Sequence, residues 1–203
     1  MKNVMRDPGE SDAKELAAKG MQRLPFPKLE LLQMRDFLDP DFCAELVTMI
    51  DAKRRPSTLA DHYGDDTFRT SETCDLPMDD PRTQGIAPMH GEPLQGQRYA
   101  VGQEFKPHCD YFNPGGDDWE KYCAVAGQRT WTFMIYLNEP EAGGATRFKV
   151  VKKSFQPETG KLVCWNNRRP DQSINPNTMH HGMKVRKGTK YVITKWYRER
   201  PWG

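Results

Sequence analysis

The sequence predicts a mainly β fold with supporting α-helices, its core a β-sandwich or jelly roll, and three observations lead there. From about residue 68 onward, short β-branched and aromatic runs alternate with clusters of Gly, Pro and Asn, the texture of strands joined by turns. One or two helices precede this region, one of them strongly marked. The length, 203 residues, suits a single domain that buries about 70% of its unfolded surface and needs no disulfides.

The elements follow in chain order. Residues 1–23 are charged and poor in large apolar groups; Asp12 with Glu15 can cap a short helix that Gly20 ends. Leu29 to Phe37 reads as a strand. Asp39-Pro40-Asp41 then marks a helix start, with Asp39 as N-cap, Pro40 in the first turn and a further acid behind it. Phe42, Leu46, Met49 and Ile50 form one apolar stripe, and the helix should stop before Pro56. Strands are expected near 68–74, 94–101, 104–110, 129–138, 145–151, 161–166, 179–185 and 189–197. Roughly eight strands after one or two helices suggest two packed β layers with helical support. Residues 1–60 are read as an N-terminal helical or extended segment packing on the core and 61–203 as the functional domain, one structural domain overall.

A formal net charge of +2 and a pI of about 8.2 do not call for a nucleic-acid partner. The basic residues near the end, Arg186 to Arg200, read as a solvated face. Five cysteines without CxxC spacing, and no secretory apolar run at the amino end, lead us to expect reduced thiols and a cytoplasmic location. No apolar run approaches the ~20 residues of a membrane helix, so a soluble protein without a membrane partner is expected.

The chemistry is concentrated in RYAVGQEFKPHCDYF, which holds His108-Cys109-Asp110. On a strand, residues two apart share a face, so the imidazole and carboxylate would converge while Cys109 turns away. With a second histidine from a distant strand they would form a two-histidine, one-carboxylate set, leaving adjacent positions open on an octahedral iron(II). Alone, a His-x-Asp triplet is a weak signal. Of the other histidines, His62 and His90 fall in loop-like sequence before the core strands, whereas His180 and His181 open a strand, where only one of two neighbours can face inward.

Four segments together resemble the prolyl 4-hydroxylase family: RTSETCDL, LQGQRYAVGQEFKPHCDYF, RTWTFMIYLNEPEAGGATRF and HHGMKVRKGTKYVITKW. The resemblance covers about 130 residues with order and spacing kept, and leaves the first ~60 outside. It implies a double-stranded β-helix (jelly-roll) core and an iron(II)- and 2-oxoglutarate-dependent dioxygenase. The cosubstrate would be decarboxylated oxidatively to succinate and CO2 as O2 hydroxylates a C–H bond. It selects His180 as the second histidine ligand beside His108 and Asp110, by its spacing to Val185 and Lys190; His181 departs from the small residue usual there. It assigns Lys190 to the far carboxylate of 2-oxoglutarate, and places Tyr99, Tyr136 and, more weakly, Thr132 around the cosubstrate. Ascorbate is the reductant and a peptide or protein the substrate that the resemblance implies.

Strand parity gives an independent check: if Lys190 faces inward, so do Val192, Thr194 and Trp196, while Tyr191, Ile193 and Lys195 face the other layer. Other readings carry distinct signatures. A zinc or nickel cupin has no use for a buried cosubstrate lysine. A nucleic-acid oxidative demethylase uses arginine where this chain has Lys190. An inert jelly-roll binding module would lack a ligand or the lysine. Free proline, another amino acid or a small molecule stays open as substrate. The loop 111–128, with Tyr111, Trp119 and Tyr122, could cover the site and meet a peptide, or equally be a structural insertion packing on the barrel.

Overall fold

The protein is described by a computed structural model covering residues 20–58, 67–76, 89–116 and 119–202. The helix expected from Asp12 lies, except for Gly20, outside the described residues, as does His62.

The strand expected at Leu29 to Phe37 is β2 (Leu31–Met34), which pairs with the short β1 (Gln22–Arg23). Helix α1 (Pro40–Lys53) starts as its sequence dictates: the Asp39 carboxylate accepts the Asp41 amide at 2.8 Å, and Pro40 occupies the first turn. Then come β3 (Arg55–Pro56), β4 (Glu72–Asp75), β5 (Gln95–Tyr99) and β6 (Phe105–His108). A five-residue helix, α2 (Trp119–Cys123), interrupts the loop before β7 (Arg129–Tyr136). The remaining strands are β8 (Ala142–Gly143), β9 (Thr146–Phe148), β10 (Lys153–Phe155), β11 (Leu162–Asn166), β12 (His180–Gly182), β13 (Val185–Lys187) and β14 (Lys190–Arg198).

An eight-stranded sheet runs in the order β1-β2-β11-β7-β14-β5-β4-β3, and a four-stranded sheet in the order β10-β9-β12-β6. Strands β13 and β8 form a separate two-stranded pair. Between the two main sheets lies one apolar core, with Leu31, Tyr136, Val163, Trp165 and Val192 from the large sheet meeting Phe148 and Phe155. On the outer face of the large sheet a second core forms under α1, where Cys43, Leu46 and Ile50 cover Ile135, Tyr191 and Ile193. The helix sits close: a Cβ on Gly96 of β5 would lie 2.5 Å from Ile50 Cγ1. Strand β14 therefore alternates as parity requires, with Val192 between the sheets and Tyr191 and Ile193 under the helix. This jelly-roll sandwich opens between its sheets, where β6, β12 and the start of β14 converge on one pocket.

Candidate metal centre and cosubstrate pocket

Strands β6 and β12 are antiparallel neighbours, and their register sets His108 directly opposite His180. The rings lie 4.2 Å apart between centroids. Each Nδ1–H is donated to a main-chain carbonyl, His108 to Lys106 at 2.7 Å and His180 to Thr178 at 2.9 Å. A carbonyl can only accept, so both rings turn the lone pair of Nε2 to the interior. Asp110 Oδ1 meets these nitrogens at 3.6 Å from His108 and 3.9 Å from His180. The three donor atoms all lie within 4.8 Å of one another, and no second such cluster occurs among the described residues. Phe105 stacks on His108 at 3.5 Å, and the edge of Trp165 packs on His180 at 4.7 Å, so both rings are held.

Asp110 reaches this position differently from the strand alternation anticipated above. Strand β6 ends at His108 and Asp110 sits in a bend two residues further on. Its carboxylate is held there by the Thr132 hydroxyl, which donates to Oδ2 at 2.7 Å, and its carbonyl by Arg129 at 3.3 Å. Burial and the adjoining His180 push His108 down to about 3, so the ring is a neutral donor at pH 7. Burial opposes ionisation of Asp110, but His180, His108, Arg129 and the Thr132 hydroxyl outweigh it and hold the carboxyl below its usual range.

Lys190, the first residue of β14, pairs in register with Tyr99. Its ammonium lies 5.1 Å from the Tyr99 ring centroid and 5.3 Å from that of Tyr136. It is 2% exposed, and burial pushes it down to about 7. The Tyr99 hydroxyl donates to Gln97 at 2.7 Å and that of Tyr136 to Thr146 at 2.7 Å. An inner pocket is lined at once by His108, Asp110, His180, Tyr99, Lys190 and Trp196. Of the residues expected around the cosubstrate, Lys190 and Tyr99 line this pocket, Tyr136 backs the lysine, and Thr132 turns its hydroxyl to Asp110. His181 faces away and bonds Glu104 at 2.8 Å, and His90 sits by the Arg198 carbonyl.

Two imidazoles and one carboxylate are the donor set of non-haem iron(II). The lining tryptophans Trp165 and Trp196 each carry a buried indole N–H with no protein partner. A buried ammonium in a narrow pocket whose walls include two tryptophans with unpaired indole N–H groups suits a small dicarboxylate such as 2-oxoglutarate. The residues fit both groups.

A wider cavity of about 520 Å³ opens outward from His108 and Asp110, past Arg69, Tyr111, Tyr122 and Arg129. Arg129 stacks over Trp196 at 4.1 Å and grips Glu92 through two bonds of 2.7 Å. Gln128 closes a two-bond bracket on the Phe112 backbone, fixing the chain just beyond Asp110. Trp119, which sequence placed beside Tyr111 and Tyr122 as a candidate contact, does not line the cavity. Arg69 and Arg129 open two of the motifs quoted above, so their signal was present although their place in this cavity was not.

The family model of the 2OG-Fe(II) oxygenase superfamily matches residues 94–198, just over half of the chain and the stretch from β5 to β14. The chain belongs to the 2OG-Fe(II) oxygenase superfamily. This superfamily member is similar to the probable prolyl 4-hydroxylase 10 of Arabidopsis thaliana, with 28% identity over 80% of this chain and 66% of that one. It spans 42% to 66% of the length of the first four Arabidopsis relatives it matches. Its fold is shared with the viral collagen prolyl hydroxylase of Paramecium Bursaria Chlorella virus-1 in its 2OG complex, at TM-score 0.64 and 23% identity over 83% of this chain and 95% of that one. A Pseudomonas putida prolyl-4-hydroxylase gives a TM-score of 0.59 at 17% identity, over 94% and 98% of the two chains.

Proposed function

We propose that this superfamily member is an iron(II)- and 2-oxoglutarate-dependent dioxygenase that hydroxylates proline in a peptide or protein. The observation that carries the reading is the shared pocket: His108, Asp110 and His180 at one part of its wall and the buried ammonium of Lys190 at another. A lysine at this position, where nucleic-acid demethylases use arginine, favours the prolyl hydroxylase type. The relatives named above are described as prolyl 4-hydroxylases or, for the viral protein, as a collagen prolyl hydroxylase.

When bound, iron(II) and 2-oxoglutarate supply the oxidising chemistry: decarboxylation to succinate and CO2, coupled to hydroxylation of a C–H bond by O2. The chain's own residues bind, orient and exclude water. His108, Asp110 and His180 present three donors from one side, and Lys190 neutralises the far carboxylate of the cosubstrate. Tyr99 and Tyr136 flank that ammonium with ring faces, which favour a cation. In the outer cavity Tyr111, Tyr122 and Trp196 offer aromatic walls to a peptide, and a preformed polyproline II segment loses little entropy on docking there.

Ascorbate as reductant and a cytoplasmic location belong to the same reading. All five cysteines are free, which suits a reducing compartment. No helix among the described residues is long and apolar enough to cross a membrane.

The test is succinate production by the iron(II)-loaded chain with proline-rich peptides, free proline and a methylated oligonucleotide as separate substrates. Peptide-stimulated turnover is expected. Stimulation by free proline alone would keep the chemistry and remove the peptide; stimulation by the oligonucleotide alone would replace the assignment.

A further inference from the structure

The carboxylate of Asp110 divides its two oxygens. Oδ1 faces the histidine nitrogens, and Oδ2 accepts the Thr132 hydroxyl at 2.7 Å. A hydroxyl has a single proton, and an ionised carboxylate can only accept, so that proton is committed to Asp110. The Thr132 oxygen must then accept from elsewhere. It does so from the side-chain amide of Asn167, whose Nδ2 donates at 2.9 Å. The requirement fixes which way the amide points, since its carbonyl oxygen cannot stand in that place. That oxygen, Asn167 Oδ1, is buried and without a partner.

The main chain of the same residue leads to the other side of the site. The Asn167 carbonyl accepts the Asn175 amide at 2.9 Å, and its own amide donates to Thr130 at 2.7 Å. The Asn175 carbonyl accepts both the amide and the hydroxyl of Thr178, at 3.0 and 2.8 Å. The Thr178 carbonyl in turn accepts Nδ1–H of His180. Asn167 is fully buried, at 0% exposure, and lies just past the end of β11. It is thus joined to Asp110 through two side-chain bonds and to His180 through three further links.

We propose that Asn167 is a positioning residue that couples the carboxylate and the distal imidazole of the metal centre, keeping Oδ1 of Asp110 free for the metal by supplying the hydrogen bond that turns Thr132 toward Oδ2. The inference rests on the assignment of His108, Asp110 and His180 as ligands. Partners of ligating groups typically change metal affinity by about 10- to 100-fold when lost.

The experiment titrates cobalt(II) into the metal-free full chain and follows its visible d–d absorption, alongside thermal melts without metal. Asn167→Asp keeps the shape and the main-chain bonds but replaces the donor by an acceptor that competes for the Thr132 proton. It should weaken cobalt binding by about 10-fold or more and alter the band pattern, and because it buries an unpaired carboxylate it should also lower the metal-free melt. Thr132→Val should do the same, Thr132→Ser should restore wild-type binding, and the double variant should be no weaker than Thr132→Val alone, because both act on one chain of bonds. Should Asn167→Asp fail to fold, Asn167→Ala carries the same measurement. His108→Ala serves as the reference: if it binds cobalt like wild type, the ligand assignment itself is wrong. If His108→Ala loses cobalt while the Asn167 variants bind within about twofold of wild type, the ligand set stands and the coupling is refuted.

Discussion

His108 and His180 are register partners on adjacent antiparallel strands, and their rings lie 4.2 Å apart between centroids. The pairing of β6 with β12 therefore sets the distance between two donors that are remote in sequence, and each ring is locked by a carbonyl on its Nδ1. A metal centre built this way would depend on both histidines and not on their neighbour.

His108→Ala and His180→Ala should each abolish iron(II) binding, since two protein donors are too few to hold the ion. His181→Ala should keep the metal and most activity, because that ring is engaged with Glu104 at 2.8 Å on the outward face. Isothermal titration of metal into each variant checks this. Loss of binding in His181→Ala, with binding kept in His180→Ala, would exchange the two assignments.

Lys190→Ala should raise the KM for 2-oxoglutarate a hundredfold or more, as removing one member of a buried charge pair costs roughly 3–5 kcal/mol. Burial pushes this lysine from its ordinary 10.5 down to about 7 in the ligand-free pocket. Binding the dicarboxylate needs the ammonium, so above pH 7 it must draw in a proton. The Kd for 2-oxoglutarate should then climb with pH above 7, by up to about tenfold per pH unit. Between pH 7 and 10.5 the unfolded chain holds the proton that the folded chain has lost, so the ligand-free fold gains stability as pH rises through that window. Lys190→Met should remove this gain. A pH-independent Kd between pH 7 and 9 would contradict the placement of the charge.

Glu92 is 7% exposed and balances two arginines, Arg129 through bonds of 2.7 Å and Arg198 at 3.0 Å. Glu92→Ala strands both cations in the interior and should cost about 3–5 kcal/mol in a urea titration. Glu92→Gln keeps the shape and should lose less. An unchanged midpoint for Glu92→Ala would show that solvent reaches the arginines.

The elements most legible in the sequence were those whose signal is local. Asp39 and Pro40 announced α1 because capping is settled within one turn. The alternation of β14 was legible because a nine-residue strand buried on both faces has no room to slip. Asp110 shows the limit of that reasoning. Alternation along a strand presumes that the strand continues, and β6 ends at His108, so Thr132 holds the carboxylate and Arg129 the main-chain carbonyl of Asp110 instead. Asn167 was illegible for a related reason. Nothing in its neighbourhood marks it, and its role exists only because β11 and β7 bring it beside Thr132. In the loop 111–128 the sequence named Tyr111, Trp119 and Tyr122 alike, and α2, from Trp119 to Cys123, is too short to show by periodicity that Tyr122 lines the cavity and Trp119 does not.

Coupling of 2-oxoglutarate to hydroxylation of a peptide proline in this pocket is read by following both atoms of labelled dioxygen. The iron(II)-loaded chain is incubated with 2-oxoglutarate and a proline-rich peptide under heavy-isotope O2, and the products are read by mass spectrometry. One labelled oxygen should appear in succinate and one on the proline ring, and Tyr111→Ala, which alters the wall of the outer cavity, should lower peptide labelling while leaving uncoupled succinate formation nearly intact. Labelled succinate with an unmodified peptide, together with demethylation of a methylated oligonucleotide in the parallel reaction, would contradict it.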